Sequence, residues 1–461
     1  MHVISLPYTA NPRKYFERVR HLDHALLLDS NQPASRFGRY DLVMADPVAL
    51  ITHAAGITTL HESGHCTNSD ADPFALIQQT MTRLLPNSIS PQWQQLPFCG
   101  GAAGLFGYDL GRSIEALPSQ AIDDIAIPDM SVGIYLWAII SDYQQQTACL
   151  VSHLSIQLTL ALRDSLLNSS SHICKPFSLL ESFQPNMTAD QYAHKFKRIM
   201  DYIVAGDCYQ VCLAQRLRAI YQGDPWDAYL RLRTASPTPF SAYLQLTGAT
   251  VLSLSPERFL EVNQGQVETK PIKGTRARGQ TPQQDQVLYN ELAASPKDRA
   301  ENLMIVDLLR NDLSKHCDVN TVQVPRLFAI ESYSNVHHLV TTIRGRISDS
   351  KLLSLLKGAF PGGSITGAPK LRAMEIIEQL EPHRRTAYTG SIGYISSHGR
   401  MDTNICIRTL VATQQQYNHQ PAGYIYCWAG GGIVADSNCD DEYQETFDKI
   451  NNLIHCLQQA S

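Results

Sequence analysis

Apolar residues recur along this chain in two rhythms, and the rhythms alternate. Runs with strand character appear in "HALLLDS", "DLVMADPVALITH" and "MSVGIYLWAIISDY", and later in "CYQVCLAQRLRAIY", "PFSAYLQLT" and "TVLSLSPERFLEV". The longest strongly apolar stretch, "VGIYLWAII" at 132–140, is too short to cross a bilayer and reads as one buried strand. Glycine-rich turns are expected between these runs, notably at "GGAAGLFGYDLG".

Helical periodicity is clearest in "TADQYAHKFKRIMDYIVAGD". There Thr188 and Gln191 form a capping box, Tyr192, Phe196, Ile199 and Ile203 make an apolar stripe, and Gly206 stands where the helix ends. In "SPKDRAENLMIVDLLRNDLSKHC", Ser295 is the expected N-cap, Pro296 opens the helix and Asp298 completes the box. "FPGGSITGAPKLRAMEIIEQLEP" runs from glycines into a helix with Met374, Ile377 and Leu380 on its apolar face. "DDEYQETFDKINNLIHCL" reads as one helix. Tyr443, Phe447, Ile450 and Ile454 fall in one arc of it, and Glu442, Glu445, Thr446 and Lys449 in another. Strands and amphipathic helices alternate without regular βαβ spacing, which predicts an α+β fold. Residues 164–186, with "NSSSH" and a proline at each end of "KPFSLLESFQP", read as a connection between regions 1–165 and 187–455.

Composition narrows the function classes. With 44% hydrophobic and 18% charged residues, the 461-residue chain has the make-up of a folded globular protein. A net charge of -5 and the lack of any basic run give no case for nucleic acid. The N-terminus "MHVISLPYTANPRKYFERV" does not read as a signal peptide, and no membrane span is expected. Eleven cysteines without a CxxC pair suit a reducing cytoplasm, where thiols act as small buried hydrophobes.

Several residues carry candidate chemistry, each with two readings. Lys273, between Ile272 and Gly274 in "KPIKGTRARG", is a solvated loop charge or a nucleophile held out of water. Glu301 is a surface acid near a helix N-terminus or a ligand-binding carboxylate. Glu445 and Lys449 are an i,i+4 surface pair or part of a site beside "WAGGGIVADS", whose glycines mark a tight turn or a close backbone approach to an anion. Ser364 and Thr366 cap a helix or bind an anion. The loop lacks G-K-[ST], which excludes nucleotide hydrolysis of the P-loop kind, and the earlier glycine cluster lacks the βαβ setting of a dinucleotide site.

Taken together, "SPERF", "PIKGT", "KDRAENLMIVDLLRNDL", "VHHLVTTI", "FPGGSITGAPK", "GSIGYIS", "MDTNICIRTL", "AGGGIVADS" and "EYQETFDK" resemble the chorismate-utilising enzymes over residues 187–455. "LLLDS", "GGAAGLFGYDLGR" and "PDMSVGIYLWA" extend the likeness into residues 1–165. The resemblance implies an α+β fold: a large, mainly antiparallel two-sheet sandwich flanked by helices, with both regions merged. It implies Mg²⁺ held by Glu301 and Glu445, and a substrate carboxylate engaged by Arg408 and Tyr388. Thr366, Lys449 and the backbone of Gly430, Gly431 and Gly432 would also face substrate. His338 would lie near the departing hydroxyl, or is a hydrogen-bonded core histidine.

Relatives that use water carry a lysine where this chain has Gln210. Those that aminate carbon 2 typically show alanine where it has Lys273. The resemblance therefore implies amination of chorismate at carbon 4, giving 4-amino-4-deoxychorismate for p-aminobenzoate and folate. Lys273 would be the nucleophile and Glu257 the general acid and base, a role that needs a raised carboxyl pKa. No Cys-His-Glu arrangement is apparent, so ammonia would come from a separate glutamine amidotransferase subunit. The alternatives are carbon-2 amination and a non-catalytic chorismate-binding subunit. By the same resemblance, Ser30, Phe37, Tyr40, Pro239, Phe240 and Ser241 form a pocket for tryptophan, or simply core. Arg276 and Arg278 receive no role.

Overall fold

The computed structural model describes the chain except residues 10, 12, 33–37, 87, 169–173, 334–335, 349–350, 418–419 and 460–461. Its apolar runs pair into two antiparallel sheets, of 14 and 12 strands. Both sheets draw on both ends of the chain. The larger contains His2–Leu6 and Gln420–Ile433, and the smaller contains Ala49–Ala54 and Met401–Asn404. The α+β sandwich expected from the sequence is the fold observed.

Three apolar clusters explain the layering. Leu26, Leu42, Leu244 and Val251 of the larger sheet meet Ala103, Leu105 and Ile392 of the smaller, filling the space between them. On its other face the larger sheet buries Leu27, Leu217 and Leu252 against Phe16, Trp226, Tyr229 and Leu453, which come from helices. The smaller sheet likewise buries Ile51, Leu260 and Ile343 against Phe74, Ile305, Leu309 and Leu355. The order is helix, sheet, sheet, helix. Where a strand is buried on both faces, as Gly101–Phe106, Met130–Tyr135 and Trp137–Asp142 are, it reads as a nearly continuous apolar run.

The chain passes between the sheets within single apolar runs, which periodicity could not register. Residues 132–140 are not one strand. Met130–Tyr135 lies in the smaller sheet and Trp137–Asp142 in the larger, with the change of sheet at Leu136. The run "TVLSLSPERFLEV" divides in the same way into Ala249–Ser255 and Arg258–Asn263.

Helix signals performed better. Helix Ala189–Val204 has the expected reciprocal box between Thr188 and Gln191, and the Ser295 hydroxyl accepts from Asp298 N–H at the start of helix Pro296–Ser314. Two expectations fail. The C-terminal segment forms two helices, Cys439–Asp448 and Asn451–Gln458, broken at Lys449 and Ile450. The polar arc is divided: Glu442 and Thr446 are buried, while Glu445 and Lys449 are exposed. The supposed turn at "GGAAGLFGYDLG" opens with strand Gly101–Phe106, inside the smaller sheet.

That strand uses glycine for clearance. Gly104 has φ +153°, and a Cβ there would stand 2.1 Å from the Ser131 carbonyl oxygen. Side chains rarely adopt that backbone, and the neighbour is main chain that cannot turn aside. Gly104→Ala is expected to destabilise the protein by about 2–4 kcal/mol, read as a lower urea midpoint. An unchanged midpoint would show that the two strands can separate without cost.

Candidate active site

Two strand pairs leave one sheet for the other side by side. Ala249–Ser255 pairs with Thr409–Thr413 in the larger sheet, and Arg258–Asn263 with Met401–Asn404 in the smaller. The crossing segments, 256–257 and 405–408, bond to each other. Ile405 N–H donates to the Glu257 carbonyl at 3.0 Å, and Leu254 N–H to the Arg408 carbonyl at 3.0 Å. The Ser255 hydroxyl donates to the Ile405 carbonyl at 2.5 Å. Glu257 and Arg408 therefore sit on facing crossovers, Arg408 with φ +50°.

Glu257 is buried, and burial raises its carboxyl pKa to about 7, against lesser lowering by the Ser364 hydroxyl and the charge of Lys273. A carboxyl poised there can give and take a proton near neutrality. Ser364, in the tight turn Gly363–Ile365, donates from Oγ to Glu257 Oε1 at 2.9 Å. Its carbonyl accepts from Lys273 Nζ at 3.3 Å. Lys273 is half-buried in strand Ile272–Ala277, whose register with Val336–Arg346 slips between Ile272 and Thr275. Gly274 makes that bulge, with φ +79° and the Asp298 carboxylate where a Cβ would go. Lys273 is thus not a solvated loop charge. Arg276 and Arg278 are engaged elsewhere, by Asp298 at 3.0 Å and Asp285 at 2.7 Å.

Next to this strand, His338 is buried and shares a hydrogen bond between Nδ1 and the Thr275 hydroxyl at 2.8 Å. Burial first, then the nearby charge of Arg408, pushes its pKa down to about 4, so the ring is neutral. Arg408 makes no ion pair or side-chain hydrogen bond among the described residues, and burial alone lowers its pKa. A desolvated guanidinium without a protein counter-ion suits a planar anion. Tyr388 is buried, stacked on Trp428 at 6.2 Å and 7°.

Carboxylates also lie near Lys273: Glu301 feels the charges of Lys273 and Glu442, and Glu442 that of Glu445. Burial raises the pKa of half-buried Glu301, against the charges of Lys273 and Lys297. Burial does the same to Glu442, which bonds to the Ser437 hydroxyl, and Glu445 adds to the rise. Glu445 is exposed and pairs with Lys449 at 2.6 Å. A Cβ on Gly431 would meet Glu442 Oε2 at 2.8 Å, so this glycine leaves space beside the acids. Among the described residues no three metal-ligating side chains are gathered closely enough to form a metal site by themselves. Repelling carboxylates around an open space nevertheless fit a hard cation that takes further ligands from water or substrate.

Other expectations need correction. Gly430–Gly432 is not a turn but part of strand Gln420–Ile433, paired with residues 212–214. The Gly430 carbonyl accepts from Lys449 Nζ at 2.8 Å. Thr366 is fully buried and its hydroxyl donates to the Gly362 carbonyl at 3.1 Å. Neither Ser364 nor Thr366 caps helix Lys370–Leu380, whose N-cap is Pro369. Gln210 is fully buried with Oε1 unpartnered, and its amide nitrogen lies where a Cβ on Gly432 would go.

A separate cavity of about 380 Å³ is lined by Ser30, Tyr40, Pro239, Phe240 and Ser241; Phe37 lies outside the described residues. It backs onto the crossover through Arg258 and Asn404.

Comparison with known proteins fits this geometry. The family of chorismate binding enzymes matches residues 23–455. The chain belongs to that family. It is 48% identical to aminodeoxychorismate synthase component 1 of Salmonella typhimurium over 99% of its own length and 98% of the relative's. To the protein of the same name in Escherichia coli K12 it is 48% identical over 96% of each. The crystal structure of anthranilate synthase component I from Streptococcus pneumoniae superposes with a TM-score of 0.78 at 29% identity, covering 91% of this chain and 92% of that one.

Two residues of this family member's site were missed from the sequence, Ser364 as a partner of both Glu257 and Lys273, and Glu442 as a buried acid. Glu442 had a signal in its place on the polar arc with Glu445. Ser364 had a signal as a polar residue in a glycine-rich turn, but its partners had none, since they lie 91 and 107 residues away.

The folded pKa of Glu257, about 7, exceeds the ordinary 4.5. Between those values the folded protein holds a proton that the unfolded chain has lost. Stability from this group is therefore complete below the lower value and is lost as pH rises through the upper one. Relative to Glu257→Gln, the wild type is expected to lose roughly 3 kcal/mol across that window in urea titrations at several pH values. A stability difference independent of pH would refute the shift.

Proposed function

We propose that this chain aminates chorismate at carbon 4, as the chorismate-binding component of an aminodeoxychorismate synthase, supplying 4-amino-4-deoxychorismate for p-aminobenzoate and folate. The observation that carries this reading is the convergence of Lys273 and Glu257 on Ser364, beside an arginine that has no counter-ion among the described residues. The names of the 48% identical relatives support it.

The chemistry then follows from the residues. Arg408, with Tyr388 beside it, orients the enolpyruvyl carboxylate. The Lys273 free amine adds to carbon 2 while both conjugated ring double bonds shift by one bond towards carbon 4 and the bond from carbon 4 to oxygen breaks. Glu257 gives its proton to the departing hydroxyl, which leaves as water. Ammonia then adds at carbon 4, both double bonds shift back as the bond from carbon 2 to the lysine nitrogen breaks, and one ammonia proton returns to Glu257. Chorismate and ammonia enter; aminodeoxychorismate and water leave. Neutral His338, with Nε2 free of partners among the described residues, serves as a hydrogen-bonding group near the departing hydroxyl. Glu301 and Glu445 would hold Mg²⁺, with Glu442 behind them; the ion would neutralise the ring carboxylate and fix its position. The backbone of Gly430–Gly432 and the Lys449 ammonium border the same space.

The relatives are called component 1, which supports a second component; we assign it the glutamine amidotransferase role of delivering ammonia. The cavity with Ser30 and Phe240 is proposed to take tryptophan, and equilibrium dialysis without binding would remove that assignment. All eleven cysteines are free thiols, in keeping with a cytoplasmic enzyme, and no helix among the described residues is long and apolar enough to cross a membrane.

Lys273→Ala is expected to lower ammonia-dependent turnover at least about 100-fold and to abolish a covalent adduct of chorismate less water seen by intact-protein mass spectrometry. Full activity with both ammonium and glutamine would remove the lysine from the mechanism. The likeness to anthranilate synthase component I favours carbon-2 amination as the second reading; anthranilate as the sole product would establish it. Glu301→Gln and Glu445→Gln should each raise the Mg²⁺ needed for half-maximal rate by about 10–100-fold. An unchanged Mg²⁺ requirement in both would mean that the ion binds elsewhere.

A further inference from the structure

We propose that Ser364 is a positioning residue that holds the acid and the nucleophile at a set spacing, gripping Glu257 through its hydroxyl and Lys273 through its carbonyl. This rests on the roles given above to those two residues. The serine is 8% exposed, and its two polar groups point to opposite partners, Glu257 Oε1 at 2.9 Å and Lys273 Nζ at 3.3 Å.

Its own position is over-determined. The Thr366 hydroxyl bonds back to the Gly362 carbonyl at 3.1 Å, Arg385 Nη1 donates to the Ile365 carbonyl at 3.0 Å, and Cys212 N–H donates to the Thr366 carbonyl at 2.8 Å. Gly363 has the Leu308 side chain 2.6 Å from where its Cβ would be, so the turn cannot slide toward helix Pro296–Ser314. A turn fixed on both sides transmits its geometry to whatever Ser364 holds. Displacement of a reacting group by about 1 Å costs on the order of 100-fold in rate.

The two grips can be separated, because one is side chain and the other main chain. Ser364→Ala keeps the carbonyl for Lys273 and removes only the donor to Glu257. That donor favours the ionised carboxyl, so its loss leaves Glu257 protonated to higher pH. Turnover that needs the protonated acid declines as pH rises through about 7 in the wild type.

The test is the pH profile of kcat with chorismate, Mg²⁺ and a constant saturating concentration of free ammonia. Wild type, Ser364→Ala, Ser364→Cys and Glu257→Gln are compared. Ser364→Ala is expected to lower kcat about 10–100-fold, to move the alkaline limb up by about one pH unit, and to change the chorismate KM less than about threefold. Ser364→Cys, similar in size with a weak donor, should fall between. A wild-type limb and a kcat within about twofold of wild type in Ser364→Ala would overturn the proposal, as would a wild-type limb in Ser364→Cys if the alanine variant does not fold. A Glu257→Gln enzyme that keeps both rate and limb instead overturns the role of the acid itself, which distinguishes the two failures.

Discussion

The site depends on one constraint: two neighbouring strands must leave one sheet for the other together. At the crossing the backbone loses its partners in both sheets, and buried N–H and C=O groups cannot remain unpaired. The segments at 256–257 and 405–408 meet this need with each other, through Ile405 to Glu257, Leu254 to Arg408, and the Ser255 hydroxyl. The side chains they carry are thereby fixed between two apolar layers. One consequence is a carboxyl with a raised pKa, and the other a guanidinium desolvated without a counter-ion.

A second device holds the opposite wall. Arg385 and Glu381, both buried, are paired at 2.6 Å, and Arg385 also donates to the Ile365 and Cys212 carbonyls. Glu381 in turn accepts from Ala214 N–H at 2.9 Å. The pair thus joins the Ser364 turn to strand Gln210–Gln222. Loss of one member would strand a buried charge, a cost of roughly 3–5 kcal/mol. Around the site itself the opposite holds: among the described residues Arg408 has no ion-pair partner and Gln210 Oε1 is unpartnered.

Much of the local structure was legible because its causes are local. The Thr188–Gln191 box, the Ser295 cap and the stripe of Met374, Ile377 and Leu380 each act within one or two turns, and each is observed. The strand runs were legible as apolar segments but not as partners, since the inner strands are buried on both faces and no alternation marks their register. That is why 132–140 and "TVLSLSPERFLEV" each read as one strand. The polar arc of helix Cys439–Asp448 could be read two ways for a related reason: helical periodicity ranks arcs by hydrophobicity, and burial of Glu442 and Thr446 runs against that ranking.

By itself the sequence determined the family, through motifs spread over most of the chain, and with it the sandwich and the residue types required for the chemistry. It also determined where helices begin, because caps and stripes are short-range. Only the tertiary structure decided that Glu257 and Lys273 share Ser364, that Thr366 is occupied by its own loop, and that Glu442 is buried beside Gly431. Those facts depend on contacts between residues far apart in the chain and on water excluded by both sheets at once. Desolvation and convergence are properties of the packed layers, and no single segment carries them.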